Sequence, residues 1–123
     1  MATSIHQRCS GRRPSEYRTS FPIAELELEV PGEGRLKAVC KRLDWDQLDP
    51  VARLAKPRFL HDPRREPYAY ERLLPLGPAG PPRFLGAPEE GGARLLVEWI
   101  DGRDLVEVGE RELWEEAAAW LGR

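Results

Sequence analysis

Two stretches of this chain alternate apolar and polar residues on either side of a short turn, and no other feature of the 123 residues restricts the fold as much. In FPIAELELEV (21–30), Ile23, Leu26, Leu28 and Val30 interleave with glutamates, the pattern of a strand with one wet face. PGEG (31–34) is a tight-turn signal and RLKAVCKRL returns, which predicts a β-hairpin. RFLGA, a PEEGG turn and ARLLVEWI predict a second one. Strands joined by short turns pair antiparallel, so the fold class predicted is α+β: an antiparallel sheet of about five strands with a packed helix and a C-terminal amphipathic helix.

Helix signals fall between and after the hairpins. Asp49 followed by Pro50 is an N-cap with a first-turn proline, which predicts a short helix over PVARLA. Asp62 and Pro63 repeat the signal before RREPYAYERLL, where Tyr70, Leu73 and Leu74 share a helical face. With Asp62 as N-cap, Pro67 would lie one position too deep for its missing N–H to be harmless, so this helix must start later or kink. ERELWEEAAAWLGR places Leu113, Ala117, Trp120 and Leu121 at helical spacing.

Length and composition fit one domain, residues 1–123, with four tryptophans to help fill a modest core. Residues 1–16 form a basic and flexible start. Over residues 1–20, Arg8, Arg12, Arg13 and Arg18 stand against Glu16 alone, either as a solvated tail or as a local site for anions. The arginines lack interleaved stacking aromatics other than Tyr17, so nucleic acid is not an expected partner. Cys9 and Cys40 belong to no cluster with zinc spacing, so no metal site is expected. With no apolar leader and no membrane-length apolar run, the expected location is the cytoplasm, away from membranes and with both thiols reduced.

A lysine near the inner end of a strand raises the functional question. Alternation puts Lys37, Val39 and Lys41 on one face and Leu36, Ala38 and Cys40 on the other. Taken alone, Lys41 reads as a strand-end residue that snorkels to water along an apolar neighbour.

Taken with KPRFLHDPRREPYAYERLLP, PPRFLGA and LLVEWIDGRDLVEVG, the pattern resembles the N-terminal lobe of aminoglycoside phosphotransferase-like small-molecule kinases. The resemblance runs from about Tyr17 to the last residue and rests on the order and spacing of its elements. It implies that Lys41, in AVCK, holds the α- and β-phosphates of ATP, and that Val39, two residues back, touches the adenine. It implies that Glu66, in RRE, pairs with the lysine; Glu71 is the alternative, because Pro67 disfavours a helical conformation at Glu66. In LLVEWIDG it gives Val97 the gatekeeper position and assigns adenine binding to the backbone C=O of Glu98 and N–H of Ile100, within a hinge at 97–102. Finally, it places GRRPSEYRTS where the family has its phosphate-covering loop, with Ser20 and Thr19 as contacts and Arg18 as a further candidate.

Other parts of the family pattern do not occur in these residues. There is no catalytic loop of H-G-D-x-x-x-x-N character and no later metal-binding aspartate; His61-Asp62-Pro63 reads as a helix N-cap. Residues 110–122 correspond to the start of the family's second lobe. The function implied is therefore the nucleotide-binding N-terminal portion of such a kinase, inactive alone, with no catalytic and no metal-binding residue of its own. Its cofactor would be ATP, with Mg²⁺ only if a C-terminal lobe is supplied, and its partner that separate catalytic lobe or another protein. The alternative is a non-catalytic, kinase-like interaction module that binds a protein through Trp114, Trp120 and Leu121.

Overall fold

The computed structural model describes residues 8–14, 20–77 and 80–123. The hairpin around PGEG forms strands β2 (Ile23–Val30) and β3 (Gly34–Arg42), in unbroken register from Ile23 opposite Lys41 to Val30 opposite Gly34. The turn needs glycine because Gly32 and Gly34 take φ values of 84° and 82°, a region costly for residues with a Cβ. β1 (Arg8–Pro14) pairs with β2, and the second hairpin supplies β4 (Phe84–Gly86) and β5 (Arg94–Glu98). The result is one five-stranded antiparallel sheet in the order β1-β2-β3-β5-β4. The α+β class therefore holds.

β1 departs from the expectation for the start of the chain. Arg8–Pro14 was expected in a flexible basic segment, and its last four residues in a phosphate-covering loop; instead they form an edge strand. RCSGRRP has little apolar alternation, so its extended state depends on backbone pairing with β2 rather than on its own side chains. β1 still ends, and β2 begins, at the Lys41 end of the sheet, since Pro14 pairs with Ala24 and Ala24 with Cys40.

Register settles the two faces. Ala24, Leu26, Leu28, Leu36, Ala38 and Cys40 share one; Glu25, Glu27, Lys37, Val39 and Lys41 share the other, as the alternation of β3 requires. Ile23 lies with the glutamates rather than with the leucines, because it is an odd number of residues from each of them. On the Lys41 face, Leu43, Leu95 and Val97 form a buried cluster, with Val39, Tyr70, Phe84 and Ala93 packed against it. Burying each of these large aliphatic side chains contributes roughly 1.5–3 kcal/mol.

Among the described residues, three α-helices connect and follow the strands. In α1 (Pro50–Ala55) the Asp49 carboxylate accepts from the Val51 N–H at 2.9 Å, the cap that the sequence signals. α2 (Arg65–Tyr68) begins later than Asp62: Arg64 holds the N-cap position, while the Asp62 carboxylate accepts from the Arg64 N–H at 2.9 Å one step upstream. The later start brings Pro67 into the first turn, where a missing N–H removes no helical bond. The chain continues through one wide π turn (Ala69–Leu73) and one 3₁₀ turn (Leu74–Leu76). This irregular run breaks the expected helical face: Tyr70 packs on the core, whereas Leu73 is 53% exposed.

α3 (Arg111–Leu121) covers the predicted amphipathic segment but has no buried residue. Trp114 Nε1 donates to the Val108 carbonyl at 2.9 Å, and Trp120 lies beside Gly80. Among the described residues, no helix is long and apolar enough to cross a membrane.

Candidate functional site

The strand pattern places Lys41 on the face that also carries the Leu43, Leu95 and Val97 cluster, one residue from the end of β3. α2 passes beneath it. Because the helix starts at Arg65, Glu66 falls in its first turn, and both carboxylate oxygens accept from Lys41 Nζ at 2.9 Å. Pro67, which disfavours helix one position before itself, is accommodated because Glu66 is barely inside the helix. Glu71 lies 3.9 Å from Arg72 instead. Of the two carboxylates that the sequence offers, Glu66 is the one that meets the lysine.

The pair is half-buried, with side-chain exposures of 21% for Lys41 and 37% for Glu66. At that exposure an ion pair contributes at most about 1 kcal/mol to stability, so its consequence is positional. A two-oxygen grip fixes the ammonium and leaves it capacity to donate elsewhere. Phe21, buried at 7%, adds a ring centroid 5.9 Å from Nζ, an arrangement that favours a cation. Tyr70 closes the region from the core side. Burial pushes its phenol above the usual value of 10.0, and the negative charge of Glu66 adds to the shift.

The remaining predicted residues divide into three groups. Val39 and Val97 are opposite each other in the β3–β5 register, and both belong to the apolar cluster, Val97 buried and Val39 half-buried. Glu98 and Ile100 mark the exit from β5. The Glu98 carboxylate accepts from the Arg83 N–H at 3.3 Å, and Trp99 N–H donates to the Lys37 carbonyl at 3.1 Å, so the connector is pinned to β3 and to the segment entering β4. Ile100 is 52% exposed, and its N–H has no backbone partner among the described residues. Ser20 is exposed at the Lys41 end, where its carbonyl accepts from the Asp49 N–H at 2.8 Å. Thr19 and Arg18 lie outside the described residues.

A groove of about 340 Å³ opens on the same sheet face toward the other end of β3, lined by Arg13, Glu25, Glu27, Lys37 and Trp99. Arg13 pairs with Glu25, and Lys37 Nζ lies 4.9 Å from the Trp99 ring centroid. From Lys37 to Lys41 is four strand residues, about 13 Å. The sequence reading assigned no role to Trp99, Lys37, Glu25 or Phe21. Strand parity alone would place Lys37 and Lys41 together; the other contacts depend on long-range packing.

Chemically, the arrangement offers a held ammonium at one end, an indole face with two carboxylates at the other, and apolar side chains between. Among the described residues, no group of three or more His, Cys, Asp or Glu side chains is placed to hold a metal ion. Comparison with protein-family models, with curated proteins and with solved structures gives no significant match.

Proposed function

We propose that this chain is the nucleotide-binding lobe of an aminoglycoside phosphotransferase-like kinase, with ATP as its ligand and catalysis dependent on a further lobe. The observation that carries the reading is the Lys41–Glu66 pair, made by both carboxylate oxygens at 2.9 Å beneath a five-stranded antiparallel sheet. A carboxylate that holds an ammonium by two oxygens orients its remaining donor capacity, which is what binding a phosphate chain requires.

The direction of the site follows from the strands. The end of β1, the start of β2 and Lys41 share one end of the sheet, and the phosphates would lie there. The connector through Trp99 and Ile100 lies at the other end, with the base against it. An adenine there would find the Trp99 ring to stack on, the free Ile100 N–H to donate to its ring nitrogen, and Glu25 or Glu27 to accept from its amino group. Val39, between the two ends, supplies apolar contact. The chain has no recognisable base to activate an acceptor hydroxyl and no recognisable Mg²⁺ ligand, so it would bind nucleotide without transferring phosphate. Isothermal titration with Mg·ATP, with and without a catalytic lobe supplied in trans, tests the reading. Heat of binding is expected in both cases and stronger in the second; none in either, with the lobe shown to be docked, defeats it.

Helix α3 favours a second reading, a non-catalytic module that binds a protein. Trp114 and Leu121 are 47% and 77% exposed, although Trp120 is half-buried beside Gly80. Recovery from its source cell as an isolated monomer would remove this option.

A further inference from the structure

Past the Lys41 end of β3 lies a second cavity, of about 200 Å³, lined by Phe21, Leu43, Lys56, His61, Arg65 and Glu66 among others. Its polar groups are unevenly satisfied. Glu66 is held by Lys41, and the other carboxylate at its wall, Asp62, accepts from the Arg64 backbone N–H and guanidinium; the backbone bond is the main cause of its lowered pKa. The donors lack such partners. Lys56 and Arg65 form no ion pair with a carboxylate among the described residues. His61 lies between the Phe21 and Trp45 rings, at centroid distances of 5.8 and 5.5 Å, and its buried Nε2 has no hydrogen-bond partner.

A buried ring nitrogen without a partner is costly, and Lys56, which has no carboxylate partner while Arg65 shares the field of Asp62, is better satisfied by a bound anion. The position of Phe21 adds geometry. Lys56 Nζ is 5.4 Å from its ring centroid and Lys41 Nζ is 5.9 Å from the same point, so the two ammonium groups stand within about 11 Å of each other around one aromatic ring. Lys56 is fixed there by the end of α1: it is the C-cap residue, and its backbone N–H donates to the Ala52 carbonyl at 3.0 Å. Proline at the start of α1 and the Asp49 cap thus set the place of a charge one helix length away.

We propose that Lys56, with Arg65 and His61, receives the terminal phosphoryl group of a nucleoside triphosphate whose inner phosphates lie on Lys41. The inference rests on the nucleotide reading above and extends it, making Lys56 a residue that distinguishes tri- from monophosphate. On this account the chain neutralises the outer end of the phosphate chain with its own side chains, before any metal-binding lobe takes part.

The test is isothermal titration of the full chain without added divalent cation, using AMP, ADP, ATP and inorganic tripolyphosphate. Wild-type affinity should rise from AMP to ATP. Lys56→Ala should weaken ATP by about tenfold, the worth of one charge-assisted hydrogen bond, and leave AMP unchanged. Lys56→Arg, which keeps the charge, should retain most of the ATP affinity, and circular dichroism would verify that each variant is folded. A Lys56→Ala variant that weakens ATP and AMP alike, or neither, overturns the inference. If the wild type binds none of the three nucleotides, tripolyphosphate decides the anion site, and the Mg·ATP titration with the docked catalytic lobe decides the nucleotide reading. Binding of tripolyphosphate that is lost in Lys56→Ala supports the anion site, and absence of that binding overturns it.

Discussion

The two halves of the Lys41 face differ in kind. From β3 toward β5 and β4 the face is dry: Leu43, Leu95 and Val97 are buried, and Tyr70 and Phe84 pack on them. From β3 toward β2 and β1 it is wet and charged, a groove between Arg13, Glu25, Glu27 and Lys37 with Trp99 at its rim. The boundary runs along β3, where Val39 belongs to the dry half and Lys41 closes its far end. One half buries the Leu43, Leu95 and Val97 cluster and the other holds an open groove, so a single strand borders both. The run through α2 and the π turn after it serves both in the same way, with Tyr70 turned to the core and Glu66 to the lysine.

The largest expected effect opposes the halves directly. Leu95→Ala removes a side chain only 2% exposed and should cost about 2–5 kcal/mol of unfolding free energy, whereas Glu27→Ala should cost less than about 1 kcal/mol in the same denaturation experiment. Similar costs at the two positions would break the division. Next is the anchor of the dry half. Gly92 has φ of 112°, and a Cβ there would collide with the Asp44 carboxylate, which accepts from the Ala93 N–H at 3.1 Å and so ties β5 to the end of β3. Gly92→Ala is therefore expected to destabilise by about 1–3 kcal/mol, visible as a lower Tm.

A smaller change sharpens the comparison on the open side. Asp49→Ala removes the α1 cap and should cost about 1 kcal/mol in chemical denaturation. Because α1 ends at Lys56, the same variant should weaken ATP binding more than AMP binding if that lysine is placed as inferred.

The smallest effect concerns Tyr70, whose phenol is held above its usual pKa of 10.0 by burial and then by Glu66. A raised folded-state pKa stabilises while the group is protonated, so this contribution is present below pH 10.0 and is lost as pH rises through the folded value. Tyr70→Phe should flatten that alkaline decline in stability measured against pH; an unchanged decline would place its cause elsewhere.

Much of the dry half was legible in the sequence because it rests on period and turn chemistry. PGEG and PEEGG announced the two hairpins, and Asp49 with Pro50 announced α1 to the residue. Lys41 and Glu66 were legible through the order of elements rather than through any local signal. Pro67 made Glu66 doubtful because a residue before proline disfavours helix, yet Glu66 lies in the first turn of α2 and still meets Lys41. The open half was not legible. β1 has no apolar period to betray it, and a wide π turn has no signature in AYERL. Trp99 and Phe21 matter through what tertiary packing brings to them, which no local pattern states.

The central claim is that Lys41, held by Glu66, marks the phosphate end of a site whose base end is at Trp99. Two-dimensional ¹H–¹⁵N NMR of the isotopically labelled full chain, titrated with Mg·ATP, tests it most directly. The account predicts shifts concentrated on the amides of 37–41, 56, 61, 65–66 and 99–100 and on the Trp99 indole, and their loss in Lys41→Met at the same ligand concentration. A spectrum that does not respond to ATP, or responses concentrated on α3, would contradict it.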